Sequence, residues 1–141
     1  TRGTKIFRVL EMITSIPEKG YSGAIVNYPE NEFTGNNELM LKVTDAIREL
    51  HKMLNVIKQL KASGTALNSY DVAHHAGLSL DEEYEMLGLM KELQRQEYLR
   101  RHLQKVLPVV AEMESLKEKV KLNGHFRNLG GFEFNFEDSA T

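Results

Sequence analysis

The chain has no cysteine among its 141 residues, and this absence limits what the protein can be. Without cysteine there is no disulfide framework and no thiolate metal site, which fits the reducing cytoplasm. No uninterrupted run of about 18 apolar residues occurs, so the sequence predicts no membrane-spanning helix. The net charge of −2 gives no general attraction to nucleic acid. These absences favour a cytoplasmic protein that acts away from membranes and DNA.

The sequence also lacks the short motifs that mark nucleotide-binding and hydrolytic enzymes. A phosphate-binding loop needs G-x-x-x-x-G-K followed by serine or threonine, and two common kinds of hydrolase carry G-x-S-x-G or S-x-x-K. None of these occurs, and neither does the H-E-x-x-H pattern of zinc peptidases. We therefore expect no enzymatic activity, no cofactor, and no catalytic or metal-binding residue.

Residues 1–30 predict a β-hairpin. Two stretches rich in β-branched and apolar residues, 5–13 and 21–28, flank a turn that contains Pro17 and Gly20. Two strands alone are only marginally stable in water, so this hairpin requires a neighbour. Its open edges are available to a second copy of the hairpin or to alternating aromatic residues near the C-terminus, and the alternative is a flexible C-terminal tail that pairs with neither. Those aromatic residues are Phe132, Phe134 and Phe136.

The rest of the sequence predicts helices. Apolar residues recur every three or four positions in 37–62 and again in 92–123, which is typical of helices with one buried face. These two long helices are expected to pack antiparallel. Two shorter helices are predicted between them. The first, 69–76, has Asn68 or Ser69 as its cap and Gly77 as its stop, and the second, 80–89, opens at a capping box of Ser79 and Glu82. The last helix is expected to kink at Pro108 and to end at Gly124. The predicted fold class is therefore mainly α with a small β part.

Clusters of ionisable residues have a simpler explanation than catalysis. The histidines are spaced unlike metal ligands, and the adjacent pair would point about 100° apart on a helix. The carboxylates Glu82, Glu83 and Glu85 fall at the start of a predicted helix, where the helix dipole favours negative charge. Four histidines are expected to be solvated or half-buried: His51, His74, His75 and His102.

Residues 69–87 have the outline of a helix-turn-helix, but their charge argues against DNA binding. The second helix would present Asp81 and three glutamates and has no lysine or arginine before Lys91, so phosphate groups would repel it. A basic face on the last helix is an RNA-binding candidate. Because its cations have acidic neighbours at helical spacing, an ordinary solvated surface is the stronger expectation. Its residues are Arg95, Arg100, Arg101 and Lys105.

Several segments, taken in order, resemble the Lon N-terminal substrate-binding domain, and together they span residues 3–134. The segments GTKIFRVL and YSGAIV resemble the last two strands of that domain, and NSYDVAHHAGLSLDEEYEML resembles its short central helices. RQEYLRRHL and NGHF resemble small relatives that consist of this domain alone. None of these segments is a catalytic motif, so the resemblance rests on their order along the chain.

The resemblance implies a PUA-like β-barrel followed by a helical bundle with one long C-terminal helix. Residues 1–30 would be the last hairpin of that barrel, 37–126 the helical subdomain and 127–141 a flexible tail. The chain would then begin inside a longer protein. In Lon, the bacterial ATP-dependent protease La, this domain helps to recognise substrates and to assemble the hexamer. Separate domains of Lon carry its ATPase and protease activities.

The chain is therefore expected to be a non-catalytic module that binds unfolded or partner polypeptides. Exposed apolar residues between the hairpin and the helices are the candidate contacts. They are Phe7, Ile25, Met86 and Met90. Two alternatives stay open: an RNA-binding PUA-like module, against which the acidic isoelectric point of 6.2 counts, and a purely structural module for oligomerisation.

Overall fold

The computed structural model describes residues 3–57, residue 60 and residues 67–129, with side chains described as far as Leu122. Within these residues, two strands form an antiparallel hairpin and four α-helices follow. The elements in chain order are β1 (Arg8–Ile13), β2 (Gly23–Asn27), α1 (Asn37–Met53), α2 (Ser69–Val72) with a 3-10 turn (Ala73–His75), α3 (Leu80–Leu87) and α4 (Glu92–Leu129). The predicted fold class, mainly α with a small β part, is confirmed.

The predicted hairpin is confirmed, although its strands are shorter than expected. β1 and β2 pair with Val9 opposite Val26 and with Glu11 opposite Ile25. Leu10 has no partner in this register and is the extra residue of a β-bulge. Because a bulge shifts the alternation of one strand by a residue, it determines which side chains of β1 share a face with those of β2.

α1 carries the apolar stripe that the sequence predicts. Asn36 caps its first turn, and its side-chain oxygen accepts the N–H of Leu39 at 3.0 Å. The stripe packs against Leu99 and Leu103 of α4 in the hydrophobic core. The stripe residues are all buried: Met40, Val43, Ile47 and Leu50.

α1 ends at Met53, well before the predicted end at residue 62, so that prediction was wrong. Asn55 adopts a left-handed backbone conformation with φ of 53°. The N–H of Val56 donates to the carbonyl of His51 at 2.9 Å, as in a Schellman motif, which satisfies the last carbonyls of a helix and stops it. The predicted helical residues that lie outside the described part of the chain are 58, 59 and 61–62.

Both short helices begin at capping boxes. Asn68 and Asp71 bond reciprocally at the start of α2, as do Ser79 and Glu82 at the start of α3. Gly77 lies between the two helices with φ of 73°, a conformation that glycine adopts without strain. The predicted starts and the predicted stop at Gly77 are confirmed, although α3 is shorter than expected.

α4 runs without a break from Glu92 to Leu129. The helix continues through Pro108, and the kink predicted there stays a prediction. It also continues through Gly124, where the sequence predicts its end. A glycine inside a helix costs only about 1 kcal/mol relative to alanine, so Gly124 need not end it. Residues 127–129 therefore belong to α4, whereas 130–141 lie outside the described residues. Over the part of the chain that the structure describes, no helix combines the length and the apolar character needed to cross a lipid bilayer.

α1 and α4 run in the same direction, which corrects the antiparallel packing predicted from the sequence. The N–H of Asn36, at the start of α1, donates to the side chain of Gln96, at the start of α4, at 2.9 Å. From this shared end the two helices pack together along the hydrophobic core, which includes Leu50 of α1 and Leu103 of α4. A groove of about 440 Å³ lies between them. Its residues are Leu39, Lys42 and Ala46 from α1, and Arg100, Leu103 and Gln104 from α4. α2 also begins beside the start of α4, where the N–H of Ser69 donates to the Glu92 carboxylate at 2.7 Å.

Candidate functional site

A fully buried arginine holds the chain that follows the hairpin against the helices. Arg95 has no exposed surface, which corrects the prediction that it belongs to a solvated basic face. All three of its side-chain nitrogens donate hydrogen bonds of 2.8–3.2 Å. The acceptors are the Ser69 hydroxyl, the Glu92 carboxylate, the Asn31 side chain, and the carbonyls of Glu32 and Leu89. These acceptors come from three separate parts of the chain, so one side chain joins them.

The Glu92 carboxylate balances the buried charge of Arg95. Their ion pair spans 2.9 Å, and both side chains are at most 2% exposed. The same carboxylate accepts the N–H and the hydroxyl of Ser69, each at 2.7 Å, and the side-chain amide of Gln96 at 3.2 Å. Among the described residues, every buried side-chain nitrogen and oxygen has a hydrogen-bond partner. Removing either member of such a pair would leave a buried charge without a counterion, which costs about 3–5 kcal/mol.

Two aromatic rings contact the guanidinium group as well. The carbon at its centre lies 4.3 Å from the ring centre of Tyr70 and 5.5 Å from that of Phe33. At these distances the ring quadrupoles attract a cation. The Tyr70 hydroxyl also accepts a hydrogen bond from the side-chain amide of Asn31 at 3.1 Å, so Tyr70 contacts both Arg95 and one of the acceptors of Arg95.

The backbone after the hairpin is bonded directly to the loop before α4. The N–H of Glu32 donates to the carbonyl of Met90 at 2.8 Å, and the N–H of Glu92 donates to the carbonyl of Glu32 at 3.0 Å. Gly35 lies so close to α4 that a β-carbon there would sit 2.3 Å from the side-chain nitrogen of Gln96. These contacts fix the base of the hairpin on the helical part of the molecule.

The hairpin itself presents one apolar face to solvent. Residues paired across an antiparallel ladder point to the same face of the sheet, and successive residues of a strand point to opposite faces. Because Leu10 is an extra residue in β1, Val9 and Met12 lie on one face, together with their partners Val26 and Ala24. The ring of Phe7 packs edge-on against that of Tyr28, with 6.3 Å between ring centres. Met12 is 63% exposed and Tyr28 is 64% exposed. We call this surface the hairpin face, and it consists of Phe7, Val9, Met12, Ala24, Val26 and Tyr28.

The outer edges of both strands have no ladder partner in the described part of the chain. The sheet there has two strands, so each strand pairs along one edge alone. Unpaired backbone N–H and C=O groups along such an edge are able to bond a further extended strand. An apolar face beside open edges is therefore suited to receive an extended polypeptide.

The four predicted contact residues do not form one surface. Phe7 is 54% exposed on the hairpin face, and Ile25 is 47% exposed on the opposite face. Met86 is only 2% exposed and packs in the hydrophobic core, so the expectation that it is exposed was wrong. Met90 is half-buried beside the base of the hairpin, where its backbone carbonyl accepts the N–H of Glu32. The apolar period of α3 could have placed Met86 in the core.

His102 is buried, although the sequence predicts solvated or half-buried histidines. Its two ring nitrogens lie 3.0 Å from the Glu82 carboxylate and 3.1 Å from the carbonyl of Ala76. The pKa of Glu82 is lowered, mainly by the hydrogen bond from the backbone N–H of Ser79 and also by His102. These bonds fasten α3 and the preceding turn to α4. In the described residues, no three histidine, aspartate or glutamate side chains come together as metal ligands.

Two of the predicted basic-face residues do lie on the surface and are paired with an acid. Arg100 and Arg101 both bond to Glu97, at 2.6 and 3.0 Å. These two arginines lower the pKa of Glu97 to about 2. Burial, together with a hydrogen bond to Glu85, raises the pKa of Tyr98 to about 12. The single carboxylate of Glu97 offsets one of these two positive charges, so the three side chains together keep one positive charge.

The residues that position the hairpin were missed from the sequence, although one signal pointed to them. Three polar residues of α4 precede the buried Leu99 at the spacing of its apolar stripe. They are Glu92, Arg95 and Gln96, which lie seven, four and three residues before it. Polar residues on a stripe that is otherwise buried are candidates for a buried network. Their partners Asn31 and Ser69 are distant in sequence, and no local pattern identifies them.

Comparison with known proteins identifies no relative of this chain. No protein-family model matches it, and neither a curated protein nor a solved structure matches it.

Proposed function

We propose that the chain is a non-catalytic polypeptide-binding module of the Lon N-terminal substrate-binding type, located in the cytoplasm. The observation that carries this proposal is the hairpin face, a set of apolar side chains that stays largely exposed on a two-stranded hairpin. Two strands of this length are marginal on their own, so a further strand added at an open edge would stabilise both partners. The resemblance of several ordered segments to the Lon domain supports the same conclusion.

The proposed mode of binding is strand addition. An extended segment of the partner would form backbone hydrogen bonds along the open edge of β1 or β2. Every second side chain of that segment would then lie on the same side of the sheet as the hairpin face, beside Met12 or the ring pair of Phe7 and Tyr28. Each square ångström of apolar surface buried contributes roughly 25 cal/mol, so a short segment would bind weakly and reversibly. Weak binding with little sequence preference suits a module that meets many unfolded chains.

The buried network around Arg95 would support this function by attaching the hairpin to the helices. It holds the base of the hairpin through Glu32 and Asn31, while the hairpin face stays clear of the core. A rigid base reduces the conformational entropy that the hairpin loses on binding. The alternative of RNA binding has less support, because Arg95 is buried and Arg100 and Arg101 are paired with Glu97.

The proposal is tested by measuring how a labelled peptide binds to two matched lysine variants. The probe is a fluorescein-labelled peptide of alternating valine and serine, and the readout is fluorescence anisotropy. Met12→Lys places a charge on the hairpin face, whereas Asn27→Lys places one on the opposite face of the same hairpin. We expect Met12→Lys to weaken binding by about tenfold or more and Asn27→Lys to leave it almost unchanged. Equal loss in both variants, or no binding by the unmodified chain, would contradict the proposal.

A further inference from the structure

α4 extends far beyond the helix that packs beside it. It has 38 residues and a length of about 57 Å, whereas α1 has 17 residues and a length of about 26 Å. Since both helices start at the same end, α1 stops near the middle of α4. Val110 is the last residue of α4 that packs against the hydrophobic core of the described residues. The second half of α4 therefore has no helical neighbour in the described part of the chain.

This second half carries its own apolar stripe. Val109, Met113, Leu116 and Val120 are spaced by four, three and four residues, and each is 53–69% exposed. At 100° per residue these four positions fall within about 60° of one another around the helix. The four–three spacing is that of the central positions of a coiled coil. We call this surface the distal stripe, and it consists of these four residues.

The charges that flank the distal stripe complement a second copy of the same helix. Glu112 lies on one flank together with Lys119, and Lys117 lies on the other. In a parallel pair of helices, Glu112 of one copy faces Lys117 of the other. In an antiparallel pair centred between Met113 and Leu116, Glu112 faces Lys119 instead. Opposite charges meet in both orientations, so the flanks favour self-association in either one.

We propose that the distal stripe binds the distal stripe of a second copy of this chain, forming a short two-helix coiled coil. Lys117 bonds Glu114 of its own helix at 2.7 Å, but both side chains are solvated and the bond is readily exchanged for one between copies. Four half-exposed side chains from each copy bury less area than a stable dimer needs. The association is therefore reversible and depends on concentration. It does not rest on the proposed polypeptide binding, because the hairpin face shares no residue with the distal stripe.

Sedimentation velocity of the full chain across a wide range of protein concentration tests this proposal. Met113→Glu places a charge in the centre of the distal stripe. Leu122→Glu is the matched control, since Leu122 is 60% exposed against 54% for Met113 and lies on the opposite side of the helix. Both positions are exposed, so both variants are expected to fold. We expect the unmodified chain and Leu122→Glu to form dimers at high concentration and Met113→Glu to stay monomeric.

Charge exchange then identifies the orientation. Glu112→Lys should weaken the dimer by placing like charges across the seam. Adding Lys117→Glu restores the dimer if the helices are parallel, and adding Lys119→Glu restores it if they are antiparallel. An unmodified chain that stays monomeric at every concentration would overturn the proposal, as would equal dissociation of the Met113 and Leu122 variants. If a monomeric chain binds a hydrophobic dye only after deletion of residues 130–141, that segment is the occupant and the proposal is likewise overturned.

Discussion

At the start of α4, charged residues are buried, whereas on the hairpin, aromatic and aliphatic residues are exposed. Arg95 and Glu92 lose nearly all contact with water, because each of their polar atoms finds a partner within the protein. Phe7, Met12 and Tyr28 stay more than half exposed, because no described element packs over them. The comparison teaches that burial follows the partners available at a position more closely than the polarity of the residue. It also separates the part of the molecule that provides stability from the part that is suited to binding.

The largest expected effect comes from placing a charge in the core between α1 and α4. Leu103 has no exposed surface, so Leu103→Asp would bury an unpaired carboxylate and lose apolar packing. We expect the free energy of unfolding to fall by on the order of 5 kcal/mol, measured by chemical denaturation. Leu41→Asp is the control, since Leu41 is 62% exposed on α1 and should cost less than about 1 kcal/mol. Similar stabilities for the two variants would contradict the buried position of Leu103 between α1 and α4.

The next effect tests whether the buried network holds the hairpin. Arg95→Ala leaves the Glu92 carboxylate buried without its counterion, so we expect a loss of about 3–5 kcal/mol. Arg101→Ala removes a solvated arginine from the same helix and should cost less than about 1 kcal/mol. The double variant Glu92→Leu with Arg95→Met removes both charges and should recover part of the loss. If Arg95→Ala costs no more than Arg101→Ala in thermal unfolding, the network does not stabilise the fold.

The smallest expected effect depends on pH and concerns the attachment of α3. The pKa of Glu82 is lowered from its ordinary value of 4.5, first by the backbone N–H of Ser79 and then by further bonds that include His102. A lowered pKa in the folded state means that the carboxylate stabilises the protein above its unfolded pKa. This contribution is lost as the pH falls through the folded pKa. Stability should therefore decline on acidification below about pH 5, and less steeply in Glu82→Gln than in the control Glu83→Gln. Parallel curves for the two variants in denaturation from pH 7 to pH 3 would contradict this assignment.

Local features were predictable from the sequence because each depends on neighbouring residues. The hairpin, the cap at Asn68 or Ser69, the capping box at Ser79 and the stop at Gly77 all follow from patterns a few residues long. The end of α1 was missed, because apolar residues at helical spacing continue at Leu54 and Ile57, on either side of the left-handed residue Asn55. Asn55 is the residue that indicates the end of the helix, but the regular spacing of apolar residues around it favours a longer helix.

Features that depend on distant residues were not predictable in this way. The direction of α1 relative to α4 is set by contacts such as that of Asn36 with Gln96, which lie sixty residues apart. Arg95 was expected at the surface because no local pattern links it to its acceptors. Two of these, Asn31 and Glu32, precede it by more than sixty residues. The hairpin face was only partly predicted, since the bulge at Leu10 decides which side chains share it. Neither the composition nor the apolar period contains this information.

Amide hydrogen exchange with and without a bound peptide tests the central claim most directly. The account predicts rapid exchange of the free chain at the open edges of β1 and β2, and slow exchange in α1 and the first half of α4. Addition of the alternating valine–serine peptide should slow exchange in the two strands and leave that in α1 unchanged, since strand addition protects the edge that it covers. Exchange in the strands that is already as slow as in α1, or that does not respond to saturating peptide, would contradict the claim that the hairpin is the binding surface.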